Sequence, residues 1–207
     1  MKLSEVFYSM QGESTYSGLP CFFIRTAGCN LKCSYCDTRY ARKVKTEIPP
    51  IEVMRLIEFF DTNVLIELTG GEPLLQEDIY DLFPLIHQQG NTILLETNGS
   101  ISLKDVPDYV CKIVDIKTPG SGYGKSFLYD NLKYINPSQD NIKIVLTSLK
   151  DYEWMKEVLA ANNLYGRHVL VSTVFDERLQ VKIIDRILKD GLDVRFQIQM
   201  HKYIGFK

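Results

Sequence analysis

The sequence predicts an α/β fold with a mainly parallel sheet. Short apolar runs rich in β-branched and aromatic residues alternate with longer amphipathic stretches, as strands and helices do when each crossover joins two parallel strands. Two of the amphipathic stretches stop at Gly90 and Gly191, and glycine often ends a helix in the left-handed conformation. No repeat or long linker divides the 207 residues, so we expect one domain over residues 1–207.

The elements follow one another in a regular order. The expected strands are CFFIRTA (21–27), VLIELTG (64–70), TILLETN (92–98), YVCKIVDIK (109–117), NIKIVLT (141–147), HVLVSTV (168–174) and VRFQIQM (194–200). The expected helices are IEVMRLIEFF (51–60), EDIYDLFPLIHQQG (77–90), KDYEWMKEVLAANN (150–163) and ERLQVKIIDRILKDG (177–191). Polar segments follow the first three strands, at 28–38, 69–73 and 96–99. Because sites in such sheets gather beyond the carboxyl ends of the strands, we expect these segments to share one rim.

Composition and charge exclude several classes of protein. Acidic and basic residues nearly cancel, 26 against 24, which disfavours a nucleic-acid partner. The N-terminal residues lack the apolar core of a signal peptide, and no run is long enough to span a bilayer. The lack of a signal peptide and the odd number of cysteines together point to the reducing cytoplasm, where clustered thiols usually bind metal.

Three of the five cysteines lie in the stretch GCNLKCSYCDT (28–38), spaced C-x3-C-x2-C. Thiolates this close can bind different corners of one iron–sulfur cluster, and three of them leave one iron of a [4Fe–4S] cluster open. A zinc or iron site with a distant fourth ligand remains the alternative. Cys21 and Cys111 lie inside apolar strand-like runs and are expected to be buried hydrophobic residues instead.

The spacing of Cys29, Cys33 and Cys36 resembles that of the radical S-adenosylmethionine (SAM) enzymes. The resemblance implies that the open iron binds SAM, whose reductive cleavage gives a radical that abstracts hydrogen from a substrate. TGGEP (69–73), ETNG (96–99) and DIK (115–117) resemble the family's SAM-binding segments in the same order. A glycyl-radical activating enzyme and an iron–sulfur electron carrier are rival interpretations, and addition of SAM to a reconstituted cluster separates the carrier from the enzymes.

Within that superfamily, FYSMQGESTYSGLPCFFIRTAGCNLKCSYCDT (7–38) resembles the opening of the 7-carboxy-7-deazaguanine synthases, and the similarity continues through DIKTPGSG (115–122) to QMHKYI (199–204). Membership implies a contracted, incomplete (β/α) barrel and a homodimer. It implies conversion of 6-carboxy-5,6,7,8-tetrahydropterin to 7-carboxy-7-deazaguanine and ammonia in queuosine and 7-deazapurine biosynthesis, with a [4Fe–4S] cluster, SAM and Mg²⁺. Hydrogen is removed from C6, the ring contracts, and SAM is regenerated.

The resemblance also implies the residues that bind SAM. They are Tyr35, Asp37, Gly71, Glu72, Glu96, Asn98, Asp115, Ile116, Lys117 and Ser172. For several of them a structural role is open: a tight turn for the glycines, an Asx turn for Asn98 and a surface position for Lys117. Asp37 would hold a metal-bound water or cap the cysteine loop.

The expected substrate residues are Met10, Gln11, Gly12, Arg25, Thr69, Gln199, His201 and Lys207, and Thr38 is expected to bind Mg²⁺. Arg25 would bind the substrate carboxylate through two parallel hydrogen bonds, or else form an ion pair with an acidic residue of the rim such as Glu13 or Glu72. Gln199 and His201 are expected on the last strand, facing the same way, although a histidine there can also be structural. The basic run ARKVK (41–45) would face solvent or an acidic electron donor such as flavodoxin.

Overall fold

A computed structural model describes residues 1–58, 64–165 and 168–206. Its strands form one sheet in the order β3-β1-β2-β4-β5-β6-β7-β8-β9. The strands are β1 (Lys2–Met10), β2 (Pro20–Thr26), β3 (Thr46–Glu47), β4 (Leu65–Gly70), β5 (Thr92–Thr97), β6 (Val110–Asp115), β7 (Asn141–Leu146), β8 (Val169–Thr173) and β9 (Arg195–Phe196). From β2 to β9 every pairing is parallel, whereas β1 pairs antiparallel with β2 and β3. The sheet does not close on itself, so the predicted incomplete barrel is confirmed.

The helices are α1 (Pro50–Glu58), α2 (Asp78–Gln88), α3 (Leu149–Ala161), α4 (Glu177–Asp190) and α5 (Met200–Ile204). Their ends follow from local sequence. Ser148 and Asp176 cap α3 and α4 by accepting hydrogen bonds from backbone N–H groups of the first turn. Gly191 ends α4 with φ 60°, as its position predicts. Residues 59 and 60 of the first expected helix lie outside the described residues.

The sheet has two different faces. The outer face packs against the helices and forms the main core, to which β4 contributes Ile66 and Leu68. The inner face holds a small apolar cluster at one end of the barrel: Cys21, Phe23, Leu65, Leu94, Cys111 and Ile113. Cys21 and Cys111 are therefore buried, as expected from their apolar surroundings. No helix in the described ranges is both long and apolar enough to cross a membrane.

Two features differ from the expectation. First, β1 was not predicted, because its residues are only partly buried and include polar side chains, without the continuous apolar run of a central strand. Where no helix was expected, in the described chain no α-helix joins β5 to β6 or β6 to β7, and the β6–β7 connection contains 3₁₀ turns at Pro119–Ser121 and Tyr129–Tyr134.

The second difference concerns the last strand, expected over 194–200. Strand β9 contains only Arg195–Phe196, and α5 begins at Met200. Gln199 precedes this helix and His201 lies within it, so the prediction that both alternate along a strand is wrong. The backbone N–H of Met200 donates to the carbonyl of Gly12 at 3.0 Å, and the chain turns into α5 where it meets the loop after β1.

Candidate active site

A cavity of about 810 Å³ opens at the carboxyl ends of the parallel strands, within the usual range for small-molecule sites. It brings together most of the residues expected at the site. Those that line it are Met10, Gln11, Gly12, Arg25, Cys29, Cys33, Tyr35, Cys36, Asp37, Thr38, Thr69, Gly71, Glu96, Asn98, Asp115, Lys117, Gln199 and His201. Glu72, Ile116 and Ser172 do not line it, and Lys207 lies outside the described residues.

The cysteine loop leaves β2 and is held on both sides. Gly28 donates its N–H to the carbonyl of Ala41 at 2.9 Å, and Ser34 donates to the carbonyl of Ser121 at 3.0 Å. The Leu31 N–H donates to Cys29 Sγ at 3.4 Å, a bond of the kind that stabilises a thiolate at an iron–sulfur cluster. Burial raises the pKa of Cys29 and of Cys33, which favours the protonated thiols, and coordination to a metal would remove these protons.

The donor set fits a cluster better than a single ion. Among the described residues, no three His, Cys, Asp or Glu side chains are placed to hold one metal ion. A [4Fe–4S] cluster does not need such a group, because each thiolate binds a different iron. Cys29, Cys33 and Cys36 all face the same cavity, which supplies three thiolates and space for a ligand on the fourth iron.

Two buried polar atoms also point to a bound ligand. The Tyr35 hydroxyl and Asp115 Oδ1 have no hydrogen-bond partner in the part of the chain that the structure describes, and both residues line the cavity. Buried polar atoms are normally satisfied, so a ligand with a donor and an acceptor at this position would stabilise both. Lys117 donates to Asp115 Oδ2 at 2.8 Å and lies 5.7 Å from the centre of the Tyr35 ring. Lys117 is therefore a site residue and not a plain surface lysine.

The glycines of TGGEP allow close packing within the protein. A Cβ atom on Gly71 would lie 1.9 Å from the carbonyl oxygen of Gly28 and 2.9 Å from Cys29 Cβ. Gly70 adopts φ 141°, and a Cβ there would lie 2.4 Å from the carbonyl oxygen of Thr26. The turn after β4 thus packs directly on the start of the cysteine loop.

Glu72 has a different position from the one expected. Its fully buried carboxylate accepts hydrogen bonds from the Leu74 N–H, the Thr97 hydroxyl and the Asn98 N–H, at 3.1, 2.8 and 2.7 Å. Burial raises its pKa to about 6, although these hydrogen bonds oppose the shift. The side chain therefore joins TGGEP to ETNG and does not reach the cavity.

Ile116 and Ser172 likewise do not line the cavity. Ile116 is fully buried in the main core, and its N–H donates to the carbonyl of Lys143 at 2.8 Å. Ser172 is buried on β8, and its hydroxyl has no partner among the described residues. Asn98 forms an Asx-type bond, because its Oδ1 accepts from the Ser100 N–H at 2.9 Å, yet it also lines the cavity.

Arg25 forms an ion pair that the sequence did not suggest. Its Nε donates to Glu5 Oε1 at 2.9 Å, and neither Glu13 nor Glu72 is its partner. Glu5 lies directly opposite Arg25 in the β1–β2 register, so missing β1 meant missing this pair. The guanidinium also lies 5.7 Å from the centre of the Phe7 ring and lines the cavity.

The C-terminal segment meets the cavity from the open side of the barrel. Gln199 Nε2 donates to Glu13 Oε1 at 2.7 Å, and Lys202 pairs with Asp37 at 2.7 Å. Burial raises the pKa of Asp37, but the Lys202 ammonium outweighs it and lowers the pKa overall. A Cβ on Gly12 would lie 2.6 Å from His201 Nδ1, so glycine leaves the space that His201 occupies.

Charged residues inside the barrel were missed by the sequence reasoning. Lys143 on β7 is buried and contacts three carboxylates, those of Glu13, Glu96 and Asp115. Burial raises the pKa of Glu96, but Lys143 outweighs it and lowers the pKa to about 2. The sequence signal for these buried charges was a single charged residue within an otherwise apolar strand, as in NIKIVLT and VLIELTG. Central parallel strands are normally apolar on both faces.

Comparisons with known proteins agree with this geometry. The radical SAM superfamily model matches residues 23–152. The 7-carboxy-7-deazaguanine synthases of Koribacter versatilis and Chlorobaculum tepidum are 36% and 38% identical to the chain, each over 99% of it and over 96% and 94% of the relative. That of Thermoplasma acidophilum is 35% identical over 99% of the chain and 97% of the relative.

Two solved structures have a similar fold. The crystal structure of QueE from Escherichia coli matches with a TM-score of 0.76 and 21% identity, over 95% of this chain and 93% of that one. SuiB from Streptococcus suis bound to S-adenosylmethionine matches with a TM-score of 0.59 and 16% identity, over 84% of this chain and 51% of that one.

Proposed function

The chain belongs to the radical SAM superfamily and, within it, to the 7-carboxy-7-deazaguanine synthases, and from this premise we propose that it converts 6-carboxy-5,6,7,8-tetrahydropterin to 7-carboxy-7-deazaguanine and ammonia. It is a radical SAM enzyme of 7-deazapurine biosynthesis, with a [4Fe–4S] cluster and SAM as cofactors. The observation that carries the proposal is the loop of three cysteines facing the cavity that the family's segments line.

Three thiols and a set of polar groups would hold the cofactors. Cys29, Cys33 and Cys36 would bind three irons of the cluster. With SAM the cluster supplies the radical that abstracts hydrogen from the substrate. The residues proposed to contact SAM directly are Tyr35, Asp37, Gly71, Glu96, Asn98, Asp115 and Lys117. Glu72 and Ile116 would instead position these segments from behind the cavity wall, and Ser172 would act from β8, where it pairs with the cavity-lining Val145.

The substrate would lie on the opposite side of the same cavity. Met10, Gly12, Thr69 and His201 supply its walls, and Arg25 would bind the carboxylate with its planar fork. Thr38 would bind Mg²⁺ through its hydroxyl, next to Asp37, with water and substrate oxygens completing the shell. Gln11 and Gln199 are bound to neighbouring acidic residues, so they would fix the shape of this region.

Partners and assembly extend the proposal. The single sheet supports one radical SAM domain over 1–207. Lys43 and Lys45 are exposed in the basic run that follows the cysteine loop, where an acidic donor such as flavodoxin would dock. The proposed assembly is a homodimer, as the family resemblance implies. All five cysteines are free, which suits the reducing cytoplasm.

Turnover tests this function. The reconstituted protein is incubated without oxygen with SAM, a reductant, Mg²⁺ and 6-carboxytetrahydropterin, and the products are identified by mass spectrometry. We expect 7-carboxy-7-deazaguanine in amounts that exceed the SAM consumed. Cleavage of SAM without this product would reject the substrate, and absence of both would reject the enzyme class.

A further inference from the structure

Glu67 is an acidic residue at the bottom of the cavity that has no part in the function described so far. It lies on β4, two residues before Thr69, so both side chains are on the inner face of the sheet. The residue is only 3% exposed, yet it lines the cavity. A buried glutamate inside a parallel strand is unusual unless it is paired.

The other acidic residues that line the cavity have cationic partners. These pairs are Glu13, Glu96 and Asp115 with Lys143, and Asp37 with Lys202. Glu67 has no ion pair within the described ranges, and its carboxylate instead accepts a hydrogen bond from Gln11 Nε2. Burial, followed by the negative charge of Glu96, raises the pKa of Glu67 well above its usual range. A ligand that donates N–H groups would relieve this cost.

Gln11, expected to contact the substrate, is already held by the protein. Its Nε2 donates to Glu67, and its Oε1 accepts the N–H of Glu13 at 2.7 Å. The main-chain N–H and carbonyl of Gln11 are also bound, to Leu19 and Gly18. Gln11 therefore orients the carboxyl group of Glu67, and this carboxyl group is a further acceptor facing the cavity.

The surroundings of Glu67 suit a flat heterocycle. Phe7 and Phe23 stack at 4.8 Å with an angle of 9° between their planes, and both line the cavity together with Ile113. Aromatic and aliphatic walls around one fixed acceptor favour a planar ring with N–H donors on one edge.

We propose that Glu67 determines substrate specificity by accepting hydrogen bonds from the 2-amino group and the adjacent ring N–H of a 2-amino-4-oxopyrimidine ring. The inference rests on the proposed function, because a pterin carries this ring. Two adjacent N–H donors match the two oxygens of one carboxylate. A ring with oxygen in place of the amino group would put an acceptor against the carboxylate.

The experiment compares 6-carboxytetrahydropterin with its 2-oxo analogue, the corresponding lumazine, in the anaerobic turnover assay. The wild-type protein should prefer the pterin by about 100-fold or more in kcat/KM, because the lumazine leaves a buried acceptor unpaired. In Glu67→Gln, whose amide can donate to the 2-oxo group, the preference should fall to about tenfold or less. Glu67→Asp keeps the carboxyl group and should retain the preference at a lower kcat/KM.

Glu157→Gln is the matched control, because Glu157 is exposed on α3, and it should behave as the wild type. Cluster content and equilibrium binding of oxidised 6-carboxypterin, followed by its fluorescence, are measured for each variant. Wild-type preference in Glu67→Gln would overturn the inference and leave the function intact. If the wild-type protein neither binds the pterin nor forms product, the function and the inference fail together.

Discussion

At the scale of single residues, the surroundings of each carboxyl group determine what it does. Glu72 accepts three hydrogen bonds and joins two loops, Glu96 pairs with Lys143 at 2.6 Å, and Glu67 lines the cavity but forms no ion pair among the described residues. Glu67 and Glu96 lie within similar apolar strands, and Glu72 follows one of them. Only the pairing of strands and turns in space separates their roles.

Replacing Glu72 should destabilise the fold while leaving the cavity residues in place. The carboxylate of Glu72 accepts hydrogen bonds from two N–H groups and one hydroxyl group. In Glu72→Gln, the amide NH₂ group must face one of these donors. We expect a loss of about 1–3 kcal/mol in the free energy of unfolding, because one buried donor loses its acceptor. Urea denaturation of the metal-free protein measures it, and an unchanged midpoint relative to Glu157→Gln would contradict the structure.

The thiols should separate into two groups. Cys33→Ser should abolish the visible absorbance of the reconstituted cluster, because an alcohol is a poor ligand for iron in such clusters. Cys111→Ala should retain it, since Cys111 lies in the inner apolar cluster and burial raises its pKa to about 12. Iron and sulfide analysis of both variants checks this. Equal iron loss in the two proteins would show that the loop is not the cluster site.

At the scale of elements, the order of motifs along the chain predicted which loops meet, but not how they pack. The cysteine loop, TGGEP and ETNG lie on one rim because the strands before them are parallel, and this does not depend on how their side chains pack. The contact of Gly71 with Gly28 depends on the φ angles of two turns, which no spacing in the sequence specifies. The same is true of α5, whose start coincides with its contact to Gly12.

Gly71→Ala should disturb the cysteine loop. The added methyl group would lie 1.9 Å from the Gly28 carbonyl oxygen, so the backbone must move, at a cost of about 1–3 kcal/mol. Gly191→Ala is the matched control: φ is 60° there, but a Cβ meets nothing within 4 Å, and the cost is about 1–2 kcal/mol. Both variants should be less stable, and only Gly71→Ala should also bind less iron.

Removal of residues 200–207 tests the role of α5. The truncated protein loses the Met200–Gly12 hydrogen bond and the Lys202–Asp37 ion pair, so the open side of the barrel loses its cover. We expect iron content to be retained and KM for the pterin to rise about tenfold or more, the equivalent of about 1.4 kcal/mol. Lys202→Gln should change KM by much less, because it removes one partly exposed pair. A wild-type KM in the truncated protein would exclude α5 from substrate binding.

At the scale of the whole molecule, the central parallel strands were predictable because both of their faces are covered and each reads as an apolar run. Strand β1 is antiparallel and partly exposed, and its pattern is correspondingly weak. Its absence from the prediction hid the Arg25–Glu5 pair. The polar interior could be foreseen only from isolated charges such as Lys143, and the partners of Lys143 lie on other strands and in the loop after β1, far away in sequence.

The charged interior should make the fold sensitive to acid. The folded-state pKa of Glu96 is about 2, because the positive charge of Lys143 outweighs the effect of burial. The pKa of a glutamate in the unfolded chain is about 4.3. Its contribution to stability is therefore complete above the unfolded pKa and is lost as the pH falls through that value toward 2. The wild type should exceed Glu96→Gln in stability at pH 7, and the difference should shrink by pH 3. A constant difference in denaturation experiments would contradict the ion pair.

The most direct test of the central claim follows hydrogen from the substrate. 6-Carboxytetrahydropterin carrying deuterium at C6 is turned over without oxygen, and 7-carboxy-7-deazaguanine and recovered SAM are examined by mass spectrometry. We predict product formation with deuterium appearing at the 5′ carbon of SAM, because the hydrogen removed from C6 passes to the adenosyl group and SAM is regenerated. Product with unlabelled SAM would contradict hydrogen abstraction from C6, and SAM cleavage without product would contradict the substrate.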